Sequence, residues 1–249
     1  MLTAIVYLQA LKFALPAITM LGVSPCFMMI WGTWRSVSAV LPTRWYHAVD
    51  DIMYSNYQRL IVFFYEHYTG VEVLLYGDVD MLNKKENVIY ISNHQSTIDW
   101  IVCDFLSIRQ GSLGHLRYVL KDGLKYFPLY GFYLGMHGGV YVKRSGQFQE
   151  KKFIRKLNRY SKYNIPLWLV IFPEGTRYNP NLPIVIQKSQ GFAYMRGYTV
   201  LNQVLTPRVK ATAGSLKILR QHIDAIYDIT IAYEWKNDNY VRRAGPDMT

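Results

Sequence analysis

Cysteine is almost missing from this chain. Two residues, Cys26 and Cys103, are too few for a disulfide framework or a multi-cysteine zinc site. No Asn-x-Ser/Thr glycosylation acceptor occurs, and both absences fit a protein facing the cytosol. Charge is sparse, at 18% of residues against a norm of roughly 25%. Acids are the scarcer sign: 17 Asp and Glu stand against 28 Lys and Arg, a net charge of +11. With 51% hydrophobic residues, intrinsic disorder is excluded. Also lacking are a G-x-S-x-G elbow, a G-x-x-x-x-G-K-[ST] loop, a G-x-G-x-x-G turn and an H-E-x-x-H helix. Serine hydrolase, P-loop NTPase, dinucleotide-binding and zincin readings lose their motifs. The six histidines are scattered without metal-ligand spacing, so no metal is expected.

Aromatic residues are plentiful, with 21 Tyr, which suits a protein working where water meets hydrocarbon. The basic excess calls for an anionic partner: nucleic acid, an anionic membrane or a phosphorylated substrate. The apolar content favours the last two, and no nucleic-acid reading motif is present.

Phe13 to Trp34 carries no formal charge and exceeds the roughly 20 residues needed to cross a bilayer. Pro16, Gly22 and Pro25 interrupt it, so a single span, a broken pair of helices dipping into one leaflet and a buried core helix all stay open. Lys12 with the free amine faces Arg35 with Arg44, which leaves the orientation undecided. After Pro42 the texture changes. Trp45 to Tyr68 reads as an amphipathic helix. Strand candidates follow at Val71–Tyr76, Val88–Ser92, Gly139–Lys143, Leu167–Phe172 and Ile226–Tyr233. Helical candidates lie between them at Thr97–Arg109, Gln147–Tyr163 and Ser189–Val204. The expected organisation is a membrane-embedded helical segment over 1–42 and an α/β domain over 43–249, with a mostly parallel sheet flanked by helices. Lys143 to Lys162 holds eight cations and one acid, with Phe153, Ile154, Leu157 and Tyr160 at helical spacing. Its charged side is a solvated surface, a face for anionic headgroups, or a site for a polyphosphate such as that of CoA.

Two stretches can do chemistry. In Asn93-His94-Gln95-Ser96-Thr97-Ile98-Asp99, an apolar strand delivers a histidine, and a carboxylate follows five positions later. In a continuous helix these two would point apart. They meet if His94 sits in the turn before a helix that Ser96 or Thr97 caps and whose first turn holds Asp99. Asp99 would then accept Nδ1–H and leave Nε2 as a base, a triad lacking its own nucleophile. Taken alone, a histidine near an aspartate is more often a satisfied structural contact. In Phe172-Pro173-Glu174-Gly175-Thr176-Arg177, a buried strand stops at a proline, and an acid, a glycine and an arginine follow. Ligands gather at such strand ends, and Arg177 offers a planar fork for phosphate. A Glu174–Arg177 surface pair is the plainer reading. Gly138 to Arg144 is a strand ending in cations, and Lys121 is a further cation after a short apolar run.

Together these blocks resemble the glycerolipid and lysophospholipid acyltransferases. Asn93–Asp99 resembles their N-H-x4-D block, and Phe172–Arg177 their F-P-E-G-T-R block. Val140–Arg144 falls where the family has a basic strand, and Leu205–Lys210 where it has a proline-containing block. Trp31–Arg35, Tyr68–Asp78, Gly114–Gly131 and Asp224–Tyr233 extend the likeness to the epsilon-type branch of 1-acylglycerol-3-phosphate acyltransferases. Lys143 departs from the Asp that many members carry before the arginine. Relatives of this type continue with further apolar segments, so the resemblance implies a chain without a C-terminal extension.

The resemblance implies acyl transfer from long-chain acyl-CoA to the sn-2 hydroxyl of 1-acyl-glycerol-3-phosphate, giving phosphatidic acid and CoA. His94 would be the general base and Asp99 its orienting partner. Arg144, Glu174, Gly175 and Arg177, with Lys121, would shape the acceptor-phosphate site. No cofactor is implied beyond acyl-CoA as co-substrate. The partners are lysophospholipid, acyl-CoA and a membrane, that of the endoplasmic reticulum and/or mitochondrion, with the site facing the cytosol. Another lysophospholipid acceptor, such as lysocardiolipin, and a non-catalytic membrane scaffold of the same fold are the alternatives.

Overall fold

The computed structural model describes residues 2–68, 71–143, 149–237 and 240–242, with side chains between Ala14 and Glu234. The chain divides into two compact units: residues 1–83 with 104–114, and 84–103 with 115–249.

In the first unit, α1 (Leu2–Val37) runs unbroken through Pro16 and Pro25. The broken pair of helices that the prolines left open does not form, although proline disfavours a helix interior by about 3 kcal/mol. A second helix, α2 (Thr43–Phe63), returns alongside it. Trp31 Nε1 donates to Asp50 Oδ1 at 3.0 Å, Trp34 Nε1 to the Tyr46 carbonyl at 3.3 Å, and Tyr57 Oη to the Met20 carbonyl at 3.3 Å. These rungs fix an antiparallel hairpin and hold the helix where its prolines would loosen it. Ala14–Val40 is long and apolar enough to cross a membrane, and Ile18, Leu21, Met29 and Ile30 lie exposed on its outer side. A single π-type turn, Phe64–Tyr68, follows α2.

The second unit is built on five parallel strands. In chain order come β1 (Val88–Ser92), α3 (Asp99–Arg109), β2 (Leu116–Lys121), α4 (Tyr130–His137), β3 (Val140–Val142), α5 (Glu150–Lys162), β4 (Trp168–Ile171), α6 (Pro183–Met195), α7 (Val209–Leu219) and β5 (Ala225–Ile229). The boundary between units falls inside α3. A two-stranded hairpin, β6 (Trp235–Asn237) and β7 (Tyr240–Arg242), follows. The sheet order is β3-β2-β4-β1-β5. Val88 pairs with Trp168 on one side of β1 and Ala225 on the other. Both central strands are nearly continuous apolar runs, as strands covered on both faces must be. α5 buries Phe153, Leu157 and Tyr160 against Ile89, Leu167, Leu169 and Ile171, and α7 adds Leu219 to the same cluster.

Four expected strands form within a residue or so of their predicted starts, although the last ends at Ile229. The fifth, Val71–Tyr76, is irregular and largely exposed, because its apolar residues find no sheet neighbour. Its place is taken by β2, whose sequence Leu116-Arg117-Tyr118-Val119-Leu120-Lys121 hides a buried arginine. The guanidinium of Arg117 donates to the Leu116 carbonyl at 3.0 Å and lies 2.7 Å from His137 Nε2. At Gly138 the backbone takes φ +122°, and a Cβ there would collide with Tyr160 Oη and the Arg117 side chain. Only glycine lets the chain turn this tightly over that polar core.

Candidate active site

Because all five strands run parallel, their carboxyl ends share one edge, the usual place for a ligand in an open α/β sheet. β1 and β4 are neighbours there, and each runs directly into one of the two chemical blocks.

Beyond β1 the chain leaves the sheet at Asn93. The Asn93 amide replaces a strand rung: its Nδ2 donates to the Ile231 carbonyl at 2.9 Å, and the Ile231 N–H donates to its Oδ1 at 2.7 Å. His94 follows in the turn before α3, not inside it, so the separation by five residues becomes a contact. His94 Nδ1 lies 2.7 Å from Asp99 Oδ2, with the imidazole 20% exposed and the carboxylate 1%. The Asp99 carboxylate also accepts the Gln95 N–H at 2.8 Å and the Ser96 N–H at 3.0 Å. Ser96 Oγ accepts the Ile98 N–H at 3.4 Å, just ahead of the helix. A fourth donor is Tyr233, whose hydroxyl reaches Asp99 Oδ1 at 2.6 Å. Burial beside that carboxylate pushes the Tyr233 phenol far above its ordinary range, so it remains a donor.

An ionised carboxylate only accepts, so the contact with Asp99 places the ring proton on Nδ1. Nε2 keeps its lone pair, and no described residue bonds to it. Phe172, leaving β4, stacks on the ring with centroids 4.6 Å apart and planes 26° from parallel. The ring is thus held at one edge by Asp99 and on one face by Phe172, with Nε2 left available.

The second block holds the backbone of the first. Glu174 Oε1 accepts the His94 N–H at 2.8 Å, and its Oε2 accepts the Leu205 N–H at 2.9 Å. Burial raises the Glu174 carboxyl above its usual range, and the two amide bonds pull the other way. The Tyr178 N–H donates to the His94 carbonyl at 2.8 Å. Glu174 therefore turns inward as a strut, and no surface pair with Arg177 forms. Gly175 takes φ +70°, and a Cβ there would touch the Arg208 side chain at 3.4 Å. Arg177 is exposed, one residue from the amide that holds His94, and makes no bond to a described residue.

Lys121 ends β2, exposed, two strands from β1, or about 10 Å at ordinary strand spacing. Arg144 lies outside the described residues; Lys143, just before it, leaves the end of β3 on the same edge. Sequence reasoning missed Tyr233 and Arg208. Nothing local marks Tyr233, which lies beyond β5 and is brought in by the Asn93–Ile231 clamp. Arg208 sits in the proline-containing block but offered no motif of its own. It is anchored by its N–H on the Pro173 carbonyl at 2.8 Å. Among the described residues, one group places metal-capable atoms together, His47, Asp50 and Asp51 on α2, within 4.8 Å of one another. It belongs to the first unit, and Asp50 already accepts from Trp31.

With this geometry in view, comparison with known proteins is decisive about family. Residues 74–234 match the acyltransferase family profile, and the chain belongs to that family. It is 50% identical over 94% of its length to the 1-acyl-sn-glycerol-3-phosphate acyltransferase epsilon of Mus musculus, of which it covers 64%. It is 30% identical over 89% of its length to a probable 1-acyl-sn-glycerol-3-phosphate acyltransferase 5 of Arabidopsis thaliana, covering 59% of that protein. The lysocardiolipin acyltransferase 1 of Gallus gallus is 28% identical over 76% of this chain and is covered for 49% of its own length. The chain thus spans between about half and two thirds of the relatives it matches. No solved structure matches it significantly.

Proposed function

We propose that the chain transfers a long-chain acyl group from acyl-CoA to the sn-2 hydroxyl of 1-acyl-glycerol-3-phosphate, giving phosphatidic acid and CoA. The observation that carries the reading is the His94 Nδ1–Asp99 Oδ2 contact of 2.7 Å, which leaves Nε2 free to act as a base. Nε2 takes the hydroxyl proton as the alcohol oxygen attacks the thioester carbonyl. Asp99 stabilises the imidazolium that forms, as in a triad whose nucleophile comes with the substrate. When the tetrahedral intermediate collapses, the C–S bond breaks and the thiolate of CoA recovers the proton. No covalent acyl-enzyme and no cofactor enter this scheme; acyl-CoA is a co-substrate. Arg177 and Lys121, with Arg144, bind the acceptor phosphate, and Gly175 shapes the turn that presents Arg177.

Both substrates carry acyl chains whose burial is worth about 0.8 kcal/mol per CH₂. A long chain pulled wholly into water would cost more than a base catalyst returns, so the reaction belongs at a membrane, and α1 supplies an element able to seat the protein there. We place it in the membrane of the endoplasmic reticulum or mitochondrion, with the site facing the cytosol. A second reading, acylation of lysocardiolipin, draws support from the likeness to the Gallus gallus protein.

The test is transfer of radiolabelled acyl-CoA by the purified chain to a panel of lysophospholipids. Lysophosphatidate is expected to be the preferred acceptor, with His94→Ala losing at least about 10³-fold in turnover. Undiminished turnover in His94→Ala would remove the mechanism. No transfer to any acceptor would leave a scaffold of this fold.

A further inference from the structure

Lys151, Arg155, Arg159 and Lys162 follow one another at helical spacing on the outer side of α5, with Lys152 beside them, and all five are exposed. A shallow groove of about 560 Å³ lies among Lys151, Arg155, Arg159 and Lys162, lined also by Ile154, Asn158 and Tyr163. The remaining cation of the helix, Lys156, instead turns inward and donates to the carbonyls of Gly135 and Gly139 at 2.8 and 2.5 Å. α7 packs next to α5 on the same sheet face. It adds exposed Lys210 and Lys217, and its 11 residues contain no acid.

This charge pattern works against the helix that carries it. Like charges four residues apart destabilise a helix, and Lys151 and Lys152 sit at the positive end of the helix dipole, offset by Glu150 and, for Lys152, by Asp122. Among the described residues none of the five exposed cations makes an ion pair. A surface shaped for solubility alone would intersperse both signs.

We propose that the outer face of α5, extended by α7, docks on an anionic membrane surface. The occupant follows from chemistry. The cations form a row about 16 Å long on a rigid helix, suited to a layer of phosphate and carboxylate headgroups rather than to one small anion. The same chain carries α1, which is long and apolar enough to cross a membrane. Basic segments tethered near a bilayer gain attraction with each Lys or Arg and lose it to salt. The proposal does not depend on the acyl-transfer reading.

The test uses the full chain in nanodiscs of phosphatidylcholine, alone or with roughly a third phosphatidylserine. Amine-reactive labelling of Lys151, Lys152 and Lys162 is followed by mass spectrometry. The expected result is labelling at least about threefold slower in the anionic discs. That protection should vanish in about 0.5 M salt and in the exposed-site variant Arg155→Glu/Arg159→Glu. Equal labelling in both discs, or protection that survives high salt, would overturn the proposal. Protection by free CoA in neutral discs without any effect of anionic lipid would also overturn it, assigning the face to a polyphosphate. None of these readouts requires catalytic activity.

Discussion

The role of Glu174 is open to a sharp trial, because two readings predict opposite results. As a wall of the phosphate site, its negative charge would repel the acceptor, and neutralising it would tighten acceptor binding. As found, its two oxygens accept from the backbone N–H groups of His94 and Leu205, at 2.8 and 2.9 Å. Glu174→Gln keeps the shape but supplies one acceptor oxygen and one NH₂ group. One of the two N–H groups must then face another donor. A buried unsatisfied donor costs about 1–3 kcal/mol, which in a chain of this size lowers the unfolding midpoint by about 2–12 °C. If His94 N–H is the group left unpaired, the turn that sets the imidazole loosens. Turnover then falls while the KM for lysophosphatidate stays put. Thermal unfolding in detergent and steady-state kinetics on the same preparation decide the matter. Unchanged stability with a lowered acceptor KM would refute the strut and restore the phosphate wall.

Three further outcomes are expected. Tyr233→Phe removes a 2.6 Å donor from Asp99 but leaves its contacts with His94, Gln95 and Ser96; turnover should drop about tenfold, and the acid limb of the kcat/KM profile should move to higher pH, because a less neutralised carboxylate favours the imidazolium. An unmoved limb would reduce Tyr233 to a packing residue. Burial drops the Lys156 amine from 10.5 to about 8, so between those values the unfolded chain binds more protons than the folded one. The folded state therefore gains up to about 3 kcal/mol as pH rises through that window, and loses it as pH falls. Denaturant midpoints near the two ends, compared with Lys156→Met, read this directly; equal pH slopes in the two proteins would refute it. Arg177→Ala should raise the KM for lysophosphatidate at least about tenfold and leave a neutral lysolipid unaffected, and an unchanged preference between the two would remove Arg177 from the phosphate site.

Much of the architecture was legible in the sequence because the central strands are unambiguous. Val88–Ile91 and Leu167–Phe172 are short apolar runs ended by polar or proline punctuation, and no helix of useful length fits them. β2 escaped notice because Arg117 breaks its pattern, and only the fold shows that a guanidinium can be buried there beside His137. The opposite error arose at Val71–Tyr76, where a short run rich in Val, Leu and Tyr has no partner strand among the described residues. α1 shows the same limit: its prolines left a break open, and the continuous helix, bonded to α2 through Trp31, Trp34 and Met20, shows itself only in the fold.

The site divides along the same line. His94 and Asp99 could be paired on paper because both lie within one turn-and-helix segment, where local geometry decides whether they meet. Glu174 could be located but not given its task, since the partners of its carboxylate come from residues 80 and 31 positions away. Tyr233 could not be found at all: it reaches Asp99 across 134 residues, through a clamp made by Asn93 on Ile231. The motif N-H-x4-D therefore carries two kinds of information. Its histidine and aspartate are the reactive pair of the proposed reaction, whereas its asparagine bonds to Ile231 at the sheet edge, two residues before the phenol that reaches Asp99. Substituting Asn93 should consequently disturb Asp99 through Tyr233, although the amide of Asn93 bonds to Ile231 and to neither of them.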